Sequence, residues 1–255
     1  MSGCVGAIDG LLAQIIAPRR TEVGNVRAYY SGHYETFGLN CQAACDVRLK
    51  FLYFAVVAPG KTNDNAAYPL CVQLRRAIQS LPLGLYFVGD AAYSLEENLL
   101  VPFTGSQRHD PVHDAFNFHL SQMRIRIEMA FGRLVRKFQV LKRKMEGKLP
   151  KISQIIGACA RLHNYIIDND MPIDSINEEA DHLIIPLPNA PSNMGYLPVM
   201  FEEDDDTFEK VDGVSETQKA ILDVIRQQGI TRPQYNLDRN TAQLDDDLSL
   251  YYHPT

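Results

Sequence analysis

Short apolar runs separated by turn residues dominate the first hundred positions, a pattern typical of β-strands. Runs of strand length occupy residues 4–8, 39–45, 51–58 and 85–89. The tripeptide that begins at Asp46 joins the second run to the third, so we expect a hairpin there. The Arg-, Gly- and Tyr-rich stretch that precedes the second run shows no period and is expected to be a loop.

Helical periodicity occurs between these apolar runs and dominates the sequence after the last of them. We predict helices at residues 66–79, 95–100, 115–141 and 152–167. Asn63 or Asp64 would cap the first of them. The third is the longest, and its apolar stripe consists of Leu120, Met123, Ile127, Ala130, Leu134, Phe138 and Leu141. Strands interleaved with helices predict the α/β fold class.

The character of the chain changes after Asp168. The following stretch is rich in proline, contains the acidic run 202–206 and shows no period, so we expect loop or disorder there. A capping box that begins at Ser215 predicts a short helix near residues 215–228. We therefore predict a domain over residues 1–168 and an acidic, partly disordered extension over residues 169–255.

Charge divides the chain at the same place. Residues 1–168 contain 20 Lys and Arg against 13 Asp and Glu, a net charge of +7, whereas residues 169–255 contain 5 against 18, a net charge of −13. A basic body with an acidic tail suits a protein that handles nucleic acid, although acidic tails also serve solubility. No apolar run approaches the roughly 18 residues that span a bilayer, so no membrane partner is expected.

Four acidic residues stand where chemistry is expected. Asp9 and Asp90 each follow an apolar run, Asp64 lies just past another, and Glu128 borders the apolar stripe of the longest helix. Acids at strand ends point into the crevice where open α/β sheets bind ligands, and converging carboxylates are tolerable around a hard cation such as Mg²⁺ or Mn²⁺. Taken one at a time, the same residues also read as turn residues, a helix cap and a solvated surface charge.

Six short motifs surround these acids in a fixed order: AID9G, N40CQAACD, PGKTND64, GD90AAY, IE128MAFGRL and LHN164. Over residues 3–167 this series resembles the DDE superfamily endonuclease domain of Harbinger-type transposases. The resemblance implies an RNase H-like fold, with a mixed central sheet flanked by helices. It also implies a catalytic triad of Asp9, Asp90 and Glu128, with Asp64 as a further metal-site acid.

The resemblance implies divalent-metal-dependent cleavage of DNA phosphodiester bonds and strand transfer, carried out in the nucleus. Two features depart from the family pattern: Leu11 and Leu12 follow the first Asp-Gly, and no DNA-binding helix-turn-helix region precedes the motifs. The expected explanations are a truncated gene, a degenerate copy, or a domesticated protein that works with a separate DNA-binding partner protein, and homo-oligomerisation stays open. The alternatives are a domesticated, catalytically inactive DNA-associated protein and a related enzyme that acts on RNA.

Overall fold

The apolar runs of the N-terminal half form one mixed β-sheet in the computed structural model, which describes residues 2–170 and 213–233. Its strands are β1 Cys4–Gln14, β2 Tyr30–Ser31, β3 Thr36–Cys45, β4 Phe51–Pro59, β5 Tyr86–Val88 and β6 Leu99–Leu100. The helices are α1 Asp64–Ala67, α2 Val72–Gln79, α3 Pro111–Lys137, α4 Leu149–Asp170 and α5 Glu216–Gln228.

The sheet is antiparallel on one side of β1 and parallel on the other. Strand β1 pairs antiparallel with β3, which pairs antiparallel with β4 and, at its first residues, with β2. On its other edge β1 pairs parallel with β5, and β5 pairs parallel with β6. The predicted α/β class and mixed central sheet are therefore confirmed.

Two apolar layers cover the two faces of the sheet. Alternation along β1 sends Ala7 and Leu11 to the layer that contains α3, and Ile8 to the layer that contains α2. The stripe of α3 supplies Ile127, which is completely buried, while α2 supplies Leu74 and Ile78 on the opposite face. Helices thus flank the sheet on both sides, as the resemblance implied. None of the helices in the described ranges is long and apolar enough to cross a membrane.

Strand β1 does not stop at Asp9, so the prediction that this residue ends a strand is wrong. The strand continues to Gln14, whose register partner on β3 is Gly38. Gly10 looks like a turn residue in the sequence, but Leu11 and Ala13 beyond it are buried, and their burial favours continued pairing. Asp9 therefore lies within the strand.

Two predicted helices also differ from the structure. The one predicted at residues 66–79 is divided into α1 and α2 by a 3₁₀ turn, Tyr68–Leu70, because Pro69 has no N–H to continue an α-helical ladder. Asn63 caps α1, since its Oδ1 accepts a bond from Ala66 N at 2.9 Å. The short helix predicted at residues 95–100 is absent; the completely buried Leu99 and Leu100 form β6 instead.

The motif around Asn164 holds α4 against the start of β4. The Asn164 side chain donates to Phe51 O and accepts from Phe51 N, both at 2.8 Å. His163, 2% exposed, lies 2.8 Å from Leu49 O, and burial lowers its pKa. His163 is therefore the hydrogen-bonded structural residue that its apolar surroundings suggest.

Helix α5 lies against the body of the domain. Leu222 and Ile225 are each 3% exposed and belong to the same core cluster as the stripe of α3. Glu97 caps the N-terminus of α5 by accepting from the backbone N–H groups of Glu216 and Thr217, at 3.1 and 2.8 Å. The loop or disorder expected before α5 falls on residues outside the described ranges, apart from the end of α4. The division of the chain at residue 168 stays a prediction.

Docking of α5 can be tested with two substitutions on one helix. Leu222→Ala should lower the free energy of unfolding by about 2–4 kcal/mol, since it leaves a cavity in the core. Val224→Ala is the matched control, because that side chain is 46% exposed, and it should change stability by about 0.5 kcal/mol or less. Urea denaturation of both variants measures the difference, and equal small effects would show that α5 is not part of the core.

Candidate active site

Asp9 and Asp90 lie at the same level of the sheet. In the parallel pairing of β1 with β5, Ala7 is the register partner of Val88, and each aspartate lies two residues further along its chain. Strand β5 ends at Val88 while β1 continues, which opens a crevice beside Asp9. The Asp9 Oδ1 accepts from Gly10 N at 2.8 Å, and the Asp90 Oδ1 accepts from Ala92 N at 2.9 Å.

Asp64 enters the crevice from the start of α1 and is held by two amides of β3. Its Oδ1 accepts bonds from Gln42 Nε2 at 2.7 Å and from Asn40 Nδ2 at 3.2 Å. Gln42 is 1% exposed and is fixed in turn by Tyr93, whose hydroxyl donates to Gln42 Oε1 at 2.8 Å. The chain from Tyr93 through Gln42 orients the Asp64 carboxylate, because each of these side chains has a defined partner.

Gly10 makes room for Asp64. Its register partner on β3 is Gln42, the residue that binds the Asp64 carboxylate. A Cβ atom at position 10 would overlap that carboxylate, so a residue with a side chain there would push Asp64 out of place. The glycine after Asp9 is therefore required by a close approach of two chain segments, not by a turn.

Glu128 is connected to Asp9 by the Arg124 guanidinium. Arg124, one helical turn earlier on α3, lies 2.5 Å through Nη1 from Glu128 Oε1 and 3.8 Å through the same atom from Asp9 Oδ2. All three side chains are partly buried, with exposures of 26% for Arg124, 25% for Glu128 and 18% for Asp9. The guanidinium therefore links the acid of α3 to the acid of β1.

Burial and mutual repulsion disturb the aspartates. The pKa of Asp9 is raised to about 7: burial raises it most, Asp90 and Asp64 add to the rise, and the Gly10 N–H and Arg124 oppose it. Burial also raises the pKa of Asp64, again with a contribution from Asp90, while the Asn40 and Gln42 bonds oppose the rise. A negative charge in this crevice is costly without a cation.

The structure thus places the three aspartates close enough to repel one another and links Glu128 to Asp9 through Arg124, without closing the four acids around a single point. Across residues 2–170 and 213–233, no group of three or more His, Cys, Asp and Glu side chains is placed to hold a metal ion. The donor set nevertheless fits a hard cation: it consists of carboxylate oxygens, and a guanidinium already lies between Asp9 and Glu128.

Four residues of this site were not predicted as contributors from the sequence, namely Asn40, Gln42, Tyr93 and Arg124. Two of them carried a signal, because Asn40 and Gln42 are polar side chains inside an otherwise apolar run. Buried polar groups require partners, and here the partner is Asp64. Tyr93 carried no signal of its own, since its contact with Gln42 crosses between β3 and the loop after β5.

Gly10→Ala tests the close approach to Asp64. The substitution should cost about 1–3 kcal/mol of unfolding free energy, because the new methyl group collides with the carboxylate. Gly24→Ala is the matched control: nothing lies near that position, and its effect should stay within about 1 kcal/mol. In an Asp64→Ala background Gly10→Ala should cost much less. The same cost in both backgrounds would contradict the contact.

The raised pKa of Asp9 predicts a pH dependence of stability. The folded protein binds this proton more tightly than the unfolded chain, whose aspartate pKa is about 3.9, so stability falls as pH rises through the folded pKa of about 7. Asp9→Asn carries no charge and should therefore gain stability over the wild type between about pH 4 and pH 8, by up to about 4 kcal/mol.

Urea denaturation with a chelator present measures this gain. Asp110→Asn is the control, because backbone N–H groups at the start of α3 lower the pKa of Asp110. The stability that Asp110 contributes is lost only as pH falls through its own lowered range, so its difference from wild type should stay constant between pH 5 and 8. A pH-independent difference for Asp9→Asn as well would mean that Asp9 does not titrate in this window.

The comparisons with known proteins agree with the resemblance that the six motifs suggested. The sequence model of the family described as DDE superfamily endonuclease matches residues 8–164, a range that contains Asp9, Asp64, Asp90 and Glu128. The putative nuclease HARBI1 of Mus musculus is 25% identical over 181 residues, which cover 68% of this chain and 48% of that protein. The chain therefore spans about half the length of the curated relative it matches. No solved structure matches. The resemblance predicted from the motifs is confirmed, and the chain belongs to the DDE superfamily of endonucleases.

Proposed function

We propose that the protein is a divalent-metal-dependent DNA endonuclease of the transposase type, with an RNase H-like catalytic domain. The observation that carries the proposal is the convergence of Asp9, Asp64 and Asp90, from three separate segments, at the point where β5 ends beside β1. Antiparallel pairing on one side of β1 and parallel pairing on the other supports the RNase H-like assignment. Membership of the DDE endonuclease family supports the reaction class.

In this proposal the four acids bind the metal, and their neighbours hold them in position. Asp9, Asp64, Asp90 and Glu128 would hold Mg²⁺ or Mn²⁺, which activates an attacking oxygen and stabilises the leaving oxygen of a phosphodiester. Gln42 and Asn40 keep the Asp64 carboxylate turned towards the crevice, and the Gly10 N–H fixes one oxygen of Asp9. These bonds limit the rearrangement needed at the site before reaction.

The positive charge of residues 1–168 favours DNA as the substrate. Residues 1–168 carry a net charge of +7, and Lys and Arg contacts to phosphates bind a duplex without reading its sequence. Strand transfer uses the same carboxylates as hydrolysis, because a 3′-hydroxyl replaces water as the attacking group. The proposal places the protein in the nucleus, where this substrate lies. A separate DNA-binding protein would supply the choice of target.

Nicking of supercoiled plasmid DNA tests the proposal. Conversion to the open circle should require Mg²⁺ or Mn²⁺ and stop when a chelator is added. Glu128→Gln keeps the shape of the side chain and removes its charge, so the rate should fall about a hundredfold or more. Glu146→Gln removes the same charge from an exposed position and should leave the rate unchanged.

Two outcomes would contradict the proposal. Undiminished nicking by Glu128→Gln would place the chemistry elsewhere or reveal a contaminating nuclease. Faster cleavage of a matched single-stranded or duplex RNA than of the corresponding DNA would contradict DNA as the substrate. The proposed carboxylate site would then act on RNA. Both measurements use the same preparation of the full chain.

A further inference from the structure

The Arg124 side chain occupies the place where the acids of β1 and α3 face each other. Its Nη1 lies 2.5 Å from Glu128 and 3.8 Å from Asp9, and its side chain is 26% exposed. The spacing explains the first contact, because residues four apart are neighbours on a helix surface. The packing of α3 on β1, with Ile127 completely buried next to Glu128, explains the second.

The surroundings of the Arg124–Glu128 ion pair distinguish it from a purely structural ion pair. Arg124 and Glu128 would bind each other on any exposed helix, where the pair would be weak and screened by salt. Here the pair lies beside Asp9, whose carboxylate is disfavoured by burial and by two further aspartates. The guanidinium therefore neutralises a set of carboxylates that also suits a hard cation.

A guanidinium and a divalent cation compete for the same carboxylate, because the two positive charges repel each other at short separation. Glu128 Oε1 is engaged by Arg124 at 2.5 Å, so a cation that binds this oxygen meets the positive charge of the Nη1 group. Arg124 is long and unbranched, so it can leave Glu128 by rotating its own side chain without moving α3. Within the described residues Asp64 and Asp90 have no ion pair with Arg124, so a metal ion that binds them does not compete with the guanidinium for those carboxylates.

We propose that Arg124 is a positioning residue that acts as a resident counter-ion: it holds Glu128 and Asp9 together in the metal-free protein and gives up Glu128 when a divalent metal binds. The inference rests on the proposed metal-dependent function and deepens it. Arg124 then sets how much metal the site needs, because a metal ion that binds Glu128 competes with the guanidinium for that carboxylate.

Thermal melting in a Mn²⁺ titration tests the proposal on the full chain without an activity assay, because metal that binds the folded state raises its melting temperature. Arg124→Gln should lower the melting temperature without metal, since the acids lose their counter-ion. The same variant should need about fivefold less Mn²⁺ for half of the maximal rise, which is the effect expected of removing one partly exposed ion pair.

Two variants control for charge and for folding. Arg126→Gln removes the same charge from an exposed position on the same helix, and its Mn²⁺ requirement should equal that of the wild type. Arg124→Lys keeps the charge but loses the planar fork, so its Mn²⁺ requirement should lie between those of the wild type and Arg124→Gln. The Lys variant carries the test if Arg124→Gln does not fold.

A double-mutant cycle separates competition at Glu128 from a general loss of positive charge. In a Glu128→Gln background, where the main partner of Arg124 has lost its charge, Arg124→Gln should change the Mn²⁺ requirement less than twofold. An undiminished effect in that background would overturn the assignment of the competition to Glu128.

The outcomes distinguish this inference from the proposed function. If the wild type responds to Mn²⁺ and neither Arg124 variant needs less of it, Arg124 does not compete with metal and the inference alone is overturned. If neither the wild type nor any Arg124 variant responds to Mn²⁺, the metal-dependent function is overturned together with the inference.

Discussion

Repulsion between carboxylates in a partly buried crevice is the constraint around which the centre of this domain is arranged. Burial alone disfavours the charged form of Asp9, and Asp64 and Asp90 disfavour it further. Each acid is given a partner that reduces the cost: a backbone N–H for Asp9 and Asp90, two amides for Asp64, and a guanidinium for Glu128. The site is thus maintained by neighbours that have to be positioned as accurately as the acids themselves.

The sheet provides that positioning by ending one strand before its neighbour. Strand β5 stops where β1 continues, so the crevice lies beside a strand that β3 still supports from its other edge. The amides of Asn40 and Gln42 reach the crevice from β3, while Glu128 reaches it from the face that α3 covers. Carboxylates from opposite faces can therefore meet at one strand without sharing a backbone segment.

Sequence patterns predicted the parts of this architecture that depend on local periodicity. Strands β3 and β4 and helices α3 and α4 were located to within a few residues, because the strands are nearly continuous apolar runs and the helices have helical apolar periodicity. The continuation of β1 past Gly10 and the extended conformation of Leu99 and Leu100 were not predictable, since both depend on pairing with distant strands. The same limit applies to the site: the acids stood out as residue types, but the roles of Arg124, Gln42 and Tyr93 depend on which segments lie side by side.

The pairing of Asn164 with Phe51 has a consequence for molecules in which α4 is displaced or unfolded. Strand β4 has β3 on one edge, and the two bonds to Asn164 occupy main-chain groups that point away from it. On this edge, where no strand of residues 2–170 or 213–233 pairs with β4, a side chain thus takes the place of a neighbouring strand at the start of an apolar run that would otherwise be open to strands of other molecules. A substitution that displaces or unfolds α4 would expose that edge of β4. Its first effect would be self-association and poor solubility, while the distant acids would keep their arrangement.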